Sequence, residues 1–206
     1  MPRARVRPTR EETRQRLFEA AAAAFAEHGI GGASVEAIAA AGGLTRGAFY
    51  SNFAGKDELI AAMLADHLEQ TARRHLELLA RNRDPDSFVA ALMAMDRSEQ
   101  DPLGRSPLLH MELTLHTARA AEHRPELTEF LQARRRLVVD IVKGTELAGR
   151  LGTAIDPEQV AAMLLAMEDG FRLHRLIDPN GTPPDSFVQS LGLLQRALSG
   201  GEPGAR

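Results

Sequence analysis

The sequence predicts an all-α protein of about nine helices, and three features carry that prediction. Alanine, leucine, glutamate and arginine dominate almost every segment, which favours helix throughout. Alternating β-branched runs, the signal of half-buried strands, are missing. Joints rich in proline and glycine recur at "NRDPD" (82–86), "DPLGRSP" (101–107), "EHRPE" (122–126), "GRLGTAIDP" (149–157) and "DPNGTPPD" (178–185). They leave helices of roughly 12–25 residues between them.

The first helix opens at Thr9, which caps it, and Glu12 three residues later completes a capping box. Leu17, Ala21, Ala24, Phe25 and His28 fall on one face, and Gly29 stops the helix. Ser34 caps a short second helix that carries Val35 and Ile38 inward and ends at Gly42-Gly43. Thr45 caps a third, where Leu44 and Phe49 form a hydrophobic staple. A fourth begins near Gly55 and runs to about Arg81. The expected organisation is an N-terminal arm and three-helix bundle at 1–54, joined by that long helix to a larger helical bundle at 55–206.

The composition excludes several classes. The 206 residues include no cysteine, so a disulfide framework, a thiolate metal site and a cysteine nucleophile are impossible. The longest apolar run, Val160–Met167, has eight residues, whereas a membrane span needs roughly 20. The basic start "MPRARVRPTR" is followed by no signal-type apolar stretch, so a cytoplasmic location with no membrane partner is expected. Net charge is −3, but six arginines and two glutamates give residues 1–16 a charge of +4 and leave −7 on the rest. A basic arm on an acidic body fits a solvated tail, and it fits an arm that reaches into a DNA groove through Arg3, Arg5 and Arg7.

The segment "GGLTRGAFYSNFAGKDEL" (42–59) holds the one tyrosine and one of two lysines. Two short capped helices around a glycine turn make a helix-turn-helix. On a helical wheel Phe49 and Phe53 fall together and face the core, while Gly47 and Ser51 fall opposite. The outer face is small and polar apart from Tyr50, which suits close approach to base edges in a major groove. The Tyr50 hydroxyl can donate to a phosphate. Lys56, at the positive end of the fourth helix, is expected to meet a phosphate together with the helix N-terminus, and Ser34 likewise at the second helix. Helix-turn-helix geometry also occurs as plain packing.

Residues 9–60 resemble the N-terminal domain of TetR/AcrR-type transcriptional regulators, through "LFEAAAAAFAEHG" and "SVEAIAAAGGLTRGAFYSNFAGKDEL". The family pattern has a small hydroxyl residue at Ser34, Gly–hydrophobic–Ser/Thr at 43–45, an aromatic pair at Phe49-Tyr50, Phe53 and Lys56. The resemblance implies DNA contacts at Thr45, Arg46, Gly47, Tyr50, Ser51, Asn52 and Lys56. Histidine, frequent in the family at 51 and 52, is replaced here by serine and asparagine. It further implies a C-terminal body that binds a small-molecule effector and forms a homodimer, and a double-stranded DNA operator as partner.

Within that body, Ala162, Ala166 and Gly170 form a small-residue stripe, read as the dimer face, with Phe187, Leu191 and Leu194 of the last helix completing it. Met163, Met167 and Phe171 are expected to turn toward the protein's own bundle. With Met93, His110, Met111, Glu112, His116 and Phe130 they make the candidate effector pocket, since methionine adapts to irregular ligands. "HMELTLH" (110–116) sets Glu112 and His116 on one face with His110 elsewhere; the sequence identifies no third convergent ligand, so no metal is expected, and no cofactor. The expected function is a ligand-responsive repressor of a pseudo-palindromic operator. The alternatives are an activator of the same fold, or an all-helical enzyme using His110, Glu112 and His116.

Overall fold

The structure is a computed structural model that describes residues 9–95, 103, 106–120, 125–145 and 156–199; the arm residues Arg3, Arg5 and Arg7 lie outside this set. Among the described residues there are nine α-helices and no strand: α1 Arg10–Gly32, α2 Val35–Ala41, α3 Arg46–Tyr50, α4 Lys56–Arg81, α5 Pro85–Ala94, α6 Pro107–Ala120, α7 Pro125–Gly144, α8 Pro157–Ile177 and α9 Ser186–Ser199. Four of the helices open on proline, whose missing N–H costs nothing in the first turn. At α5 and α8 the preceding Asp84 and Asp156 accept from the backbone as caps.

The chain divides into two compact units. The first takes residues 1–66 and 99–128, so it extends beyond residue 54 into the start of α4 and includes α6, which packs along α1. Its core is built from the fully buried Leu17, Phe25, Ile38, Phe49, Phe53, Leu59, Ile60, Leu109 and Leu113. Thr9 caps α1 with the reciprocal Glu12 bond, at 3.1 and 2.7 Å. Gly29, at φ +69°, breaks the helical path, and the short turn to Gly32 follows. His28 just before it is exposed, not on the core face; the inner face instead runs through Phe18, Ala22 and Phe25.

The second unit takes residues 67–98 and 129–206. There α9 packs on α5 and on α8, burying Phe88 and Val188. Between α7 and α8 lies an ionic cluster. Arg134 donates to Glu168 at 2.8 Å and to Asp169 at 2.9 and 3.2 Å, and Arg172 donates to Glu168 at 2.7 Å. Two arginines and two carboxylates balance in charge. Burial opposes the Arg134 charge, but Glu168 and Asp169 outweigh that cost and hold its pKa above the ordinary guanidinium value.

This cluster decides which way α8 faces. Ala161, Glu168 and Arg172 share its inner side at helical spacing, so Met163 falls opposite and is 68% exposed. The expectation that Met163 turns inward is thereby corrected: it joins Ala162 and Ala166 on the outer face, together with the exposed Leu173 and Ile177. Gly170 stands on the same face, half-buried, with open space where a side chain would go. Met167 and Phe171 are half-buried. Met93 is 52% exposed, so it too lines no interior.

Candidate nucleic-acid interface

The turn between α2 and α3 shows why two short helices hold a fixed angle. Gly43 adopts φ +66°, the left-handed region that favours glycine. The Leu44 N–H donates to the Ala39 carbonyl at 2.8 Å and the Gly43 N–H to that of Ala40 at 3.0 Å, the Schellman pattern that closes a helix C-terminus. Thr45 then caps α3, accepting from the Ala48 N–H at 3.1 Å, and Ser34 caps α2, accepting from the Ala37 N–H at 3.1 Å. Each hydroxyl accepts within its own helix and keeps its O–H proton, a donor for an external acceptor such as a phosphate.

Phe49 and Phe53 anchor α3 from beneath, 6.0 Å apart edge to face, and Phe18 stacks on Phe53 at 5.9 Å. Tyr50 stands above, 46% exposed, edge-on to Phe49. At Gly47 an added Cβ would meet only the Thr45 hydroxyl, at 3.8 Å, so this stretch of backbone is open from outside. Arg46 is paired with Glu36 of α2 and lies over the Tyr50 ring.

The other residues expected to touch DNA are engaged otherwise. Ser51 Oγ and Asn52 Nδ2 both donate to the Ala48 carbonyl, at 2.9 and 2.8 Å, so both side chains fold back on the helix end. Lys56 Nζ donates to the carbonyls of Ile30 at 2.7 Å and Ala33 at 2.9 Å, tying the start of α4 to the C-terminal end of α1. An ammonium has three protons, so one remains for a phosphate. Sequence reasoning passes over Arg14. Its guanidinium lies over Phe53 at 4.9 Å and Phe18 at 5.5 Å, on the rim of the same head. A cation over an aromatic ring leaves no trace in periodicity.

The "HMELTLH" segment does not assemble a reaction centre. His116 Nε2 lies 3.0 Å from Asp57 Oδ1 at the start of α4, the Glu112 carboxylate lies against Gly29, and His110 is buried. Among the described residues no group of three metal-ligating side chains converges. No described helix is long and apolar enough to cross a membrane.

Two family models match the chain, "Bacterial regulatory proteins, tetR family" over residues 17–63 and "BetI-type transcriptional repressor, C-terminal" over 102–197. The chain is 35% identical over 198 residues to the HTH-type transcriptional regulator TtgR of Pseudomonas putida, covering 85% of this chain and 87% of TtgR. It is 36% identical over 188 residues to the probable HTH-type transcriptional regulator ArpR of Pseudomonas putida, covering 80% and 82%. The fold matches the crystal structure of the transcriptional regulator FadR of Bacillus subtilis in complex with stearoyl-CoA, with a TM-score of 0.69 at 17% identity, covering 90% of this chain and 97% of that one. These relatives are regulators of transcription, not enzymes. With a capped helix-turn-helix whose outer face is bare at Gly47, and relatives aligned along most of its length, the chain belongs to the TetR family of DNA-binding transcriptional regulators.

Proposed function

We propose that the protein is a cytoplasmic, homodimeric repressor that leaves a pseudo-palindromic operator when a small molecule binds its body. The observation that carries the dimer is the outer face of α8, where Ala162, Met163, Ala166, Leu173 and Ile177 are exposed in a single chain. Contiguous apolar surface of this kind is a mark of association. Leu193 and Leu194 of α9 are exposed as well, and the half-buried Phe187 and Leu191 lie on the same helix. Two copies related by a two-fold axis read two half-sites about one helical turn apart, roughly 34–36 Å, or a multiple.

The description of the C-terminal family model supports repression. Release follows from linkage: an effector that prefers the chain conformation with mis-spaced heads weakens DNA binding by the factor by which DNA weakens effector binding. Phe130, Met167 and Phe171, all in the second unit, are the side chains offered for effector contact. Because α4 contributes to both compact units, its tilt is the proposed lever. The arginines of the arm add minor-groove contacts.

The experiment is a gel shift with DNA from upstream of the protein's own gene, using full-length protein and a variant lacking residues 1–8, beside a reporter driven by the same DNA. Two-fold occupancy of one site, severalfold weaker binding by the truncated protein, and reporter output that falls with protein are expected. Output that rises with protein would reverse the reading to an activator. Binding of single copies would remove the dimer.

A further inference from the structure

Arg46 of α3 and Glu36 of α2 meet across the helix-turn-helix, with Arg46 Nε 3.1 Å from Glu36 Oε1. The guanidinium carbon lies 5.4 Å from the Tyr50 ring centroid, over the ring. Among the described residues Arg46 makes no other polar contact. Both side chains are well exposed, at 66% and 56%, so the pair contributes little to stability. Its geometry is more informative than its energy. A guanidinium has five N–H donors in a fixed planar fork. The Glu36 carboxylate lies beside Nε, nearest the main chain, and the guanidinium carbon lies over the Tyr50 ring. The outer edge, formed by Nη1 and Nη2, is left without a partner, and two contacts limit the rotation of the side chain.

We infer that Glu36 is a positioning residue that presents the outer edge of Arg46 to a guanine in each half-site. The inference rests on the DNA-binding reading and extends it to a named base. Guanine offers O6 and N7 in the major groove, a pair of acceptors that a guanidinium edge meets with two parallel hydrogen bonds. A long, flexible arginine held in place beforehand loses less freedom on binding than one that must be ordered there. Glu36 has a second effect of the same sign. Its carboxylate repels phosphate, so it lowers affinity for DNA that offers no compensating guanine. Positioning and repulsion together raise discrimination between operator and random duplex.

The experiment selects duplexes from a randomised pool with full-length wild-type protein and four variants, then compares base preference position by position. Affinity for one duplex outside the selected set is measured in parallel. Wild-type protein should select a guanine in each half-site that Arg46→Ala and Arg46→Lys no longer prefer, because lysine keeps the charge but lacks the fork. Glu36→Ala should weaken the preference at that same position by roughly two- to fivefold, the scale of an exposed ion pair, and leave other positions alone. It should also bind the unselected duplex more tightly than wild type. Glu36→Gln, which keeps the length of the side chain and an oxygen beside Nε, should keep the guanine preference while gaining the tighter unselected binding. Preferences unchanged in Glu36→Ala, or weakened evenly at every position, overturn the inference. Selection of a site whose preferences survive Arg46→Lys overturns it too, and selection of no sequence by wild type removes the DNA-binding reading instead.

Discussion

Lys56 Nζ sits 2.7 Å from the carbonyl oxygen of Ile30, 26 residues earlier in the chain. With the bond to Ala33 at 2.9 Å, this makes one cation hold the end of α1 against the start of α4. The phosphate contact proposed for Lys56 and a structural tether would therefore share one side chain. Lys56→Ala should lower stability by roughly 1.5–3 kcal/mol, the usual range for hydrogen bonds to a charged group. It should also reduce the salt slope of DNA binding by about one unit. Tyr50→Phe should weaken DNA binding with no loss in thermal stability, since the phenol is exposed. Melting curves beside salt titrations separate the two, and a Lys56→Ala protein as stable as wild type removes the tether.

Gly47 gives a cleaner test of groove contact. A Cβ added there meets only the Thr45 hydroxyl, at 3.8 Å. Gly47→Leu should fold and melt close to wild type, within about 1 kcal/mol, because helix propensity favours the change. It should nonetheless lose operator binding by roughly 100-fold or more, on the order of the free energy of several base contacts. Retained affinity would mean that α3 does not approach the bases at this point.

A similar logic applies to Gly170. A side chain there has open space within the single chain. Gly170→Leu should therefore leave the protomer folded while blocking close approach of a second α8, giving monomers by light scattering. An intact dimer would place the interface on another surface.

The Arg134 cluster predicts a contrast between neighbours. Arg134→Ala removes the more buried of the two arginines that Glu168 and Asp169 share, leaving Arg172, and should cost about 1.5–3 kcal/mol, the range for hydrogen bonds to charged groups. Arg135 pairs with Glu158 at 3.0 Å where both are half exposed, so Arg135→Ala should cost less than about 1 kcal/mol. Urea midpoints that move equally in the two variants would contradict this ranking.

Local signals are readable in the sequence, and contacts between distant segments are not. Thr9, Ser34 and Thr45 cap because a side chain reaches a backbone N–H three residues on, a relation contained in a few letters. Phe49 and Phe53 declare their burial through helical spacing. The carbonyl partners of Lys56 and the packing of α6 on α1 depend on chain paths that no periodicity encodes. Met163 departs from expectation for a related reason. Apolar residues surround α8 through 160–167, so hydrophobicity alone does not orient it. The residues that mark its inner side, Glu168 and Arg172, are charged, and a pattern rule reads charge as outward.

The closing of α3 by Ser51 and Asn52 has a consequence for information. With five residues the helix is about 7–8 Å long, little more than the rise of two base pairs. Ser51 and Asn52, just past its end, donate to the Ala48 carbonyl, so the proposed reading rests on Thr45, Arg46 and the backbone near Gly47. One head distinguishes only a handful of sequences, and a bacterial chromosome repeats such short words by the thousand. Under the proposed dimer, what makes an address unique is then the distance between two words, and that distance is set by the outer face of α8, where two copies of the chain would meet.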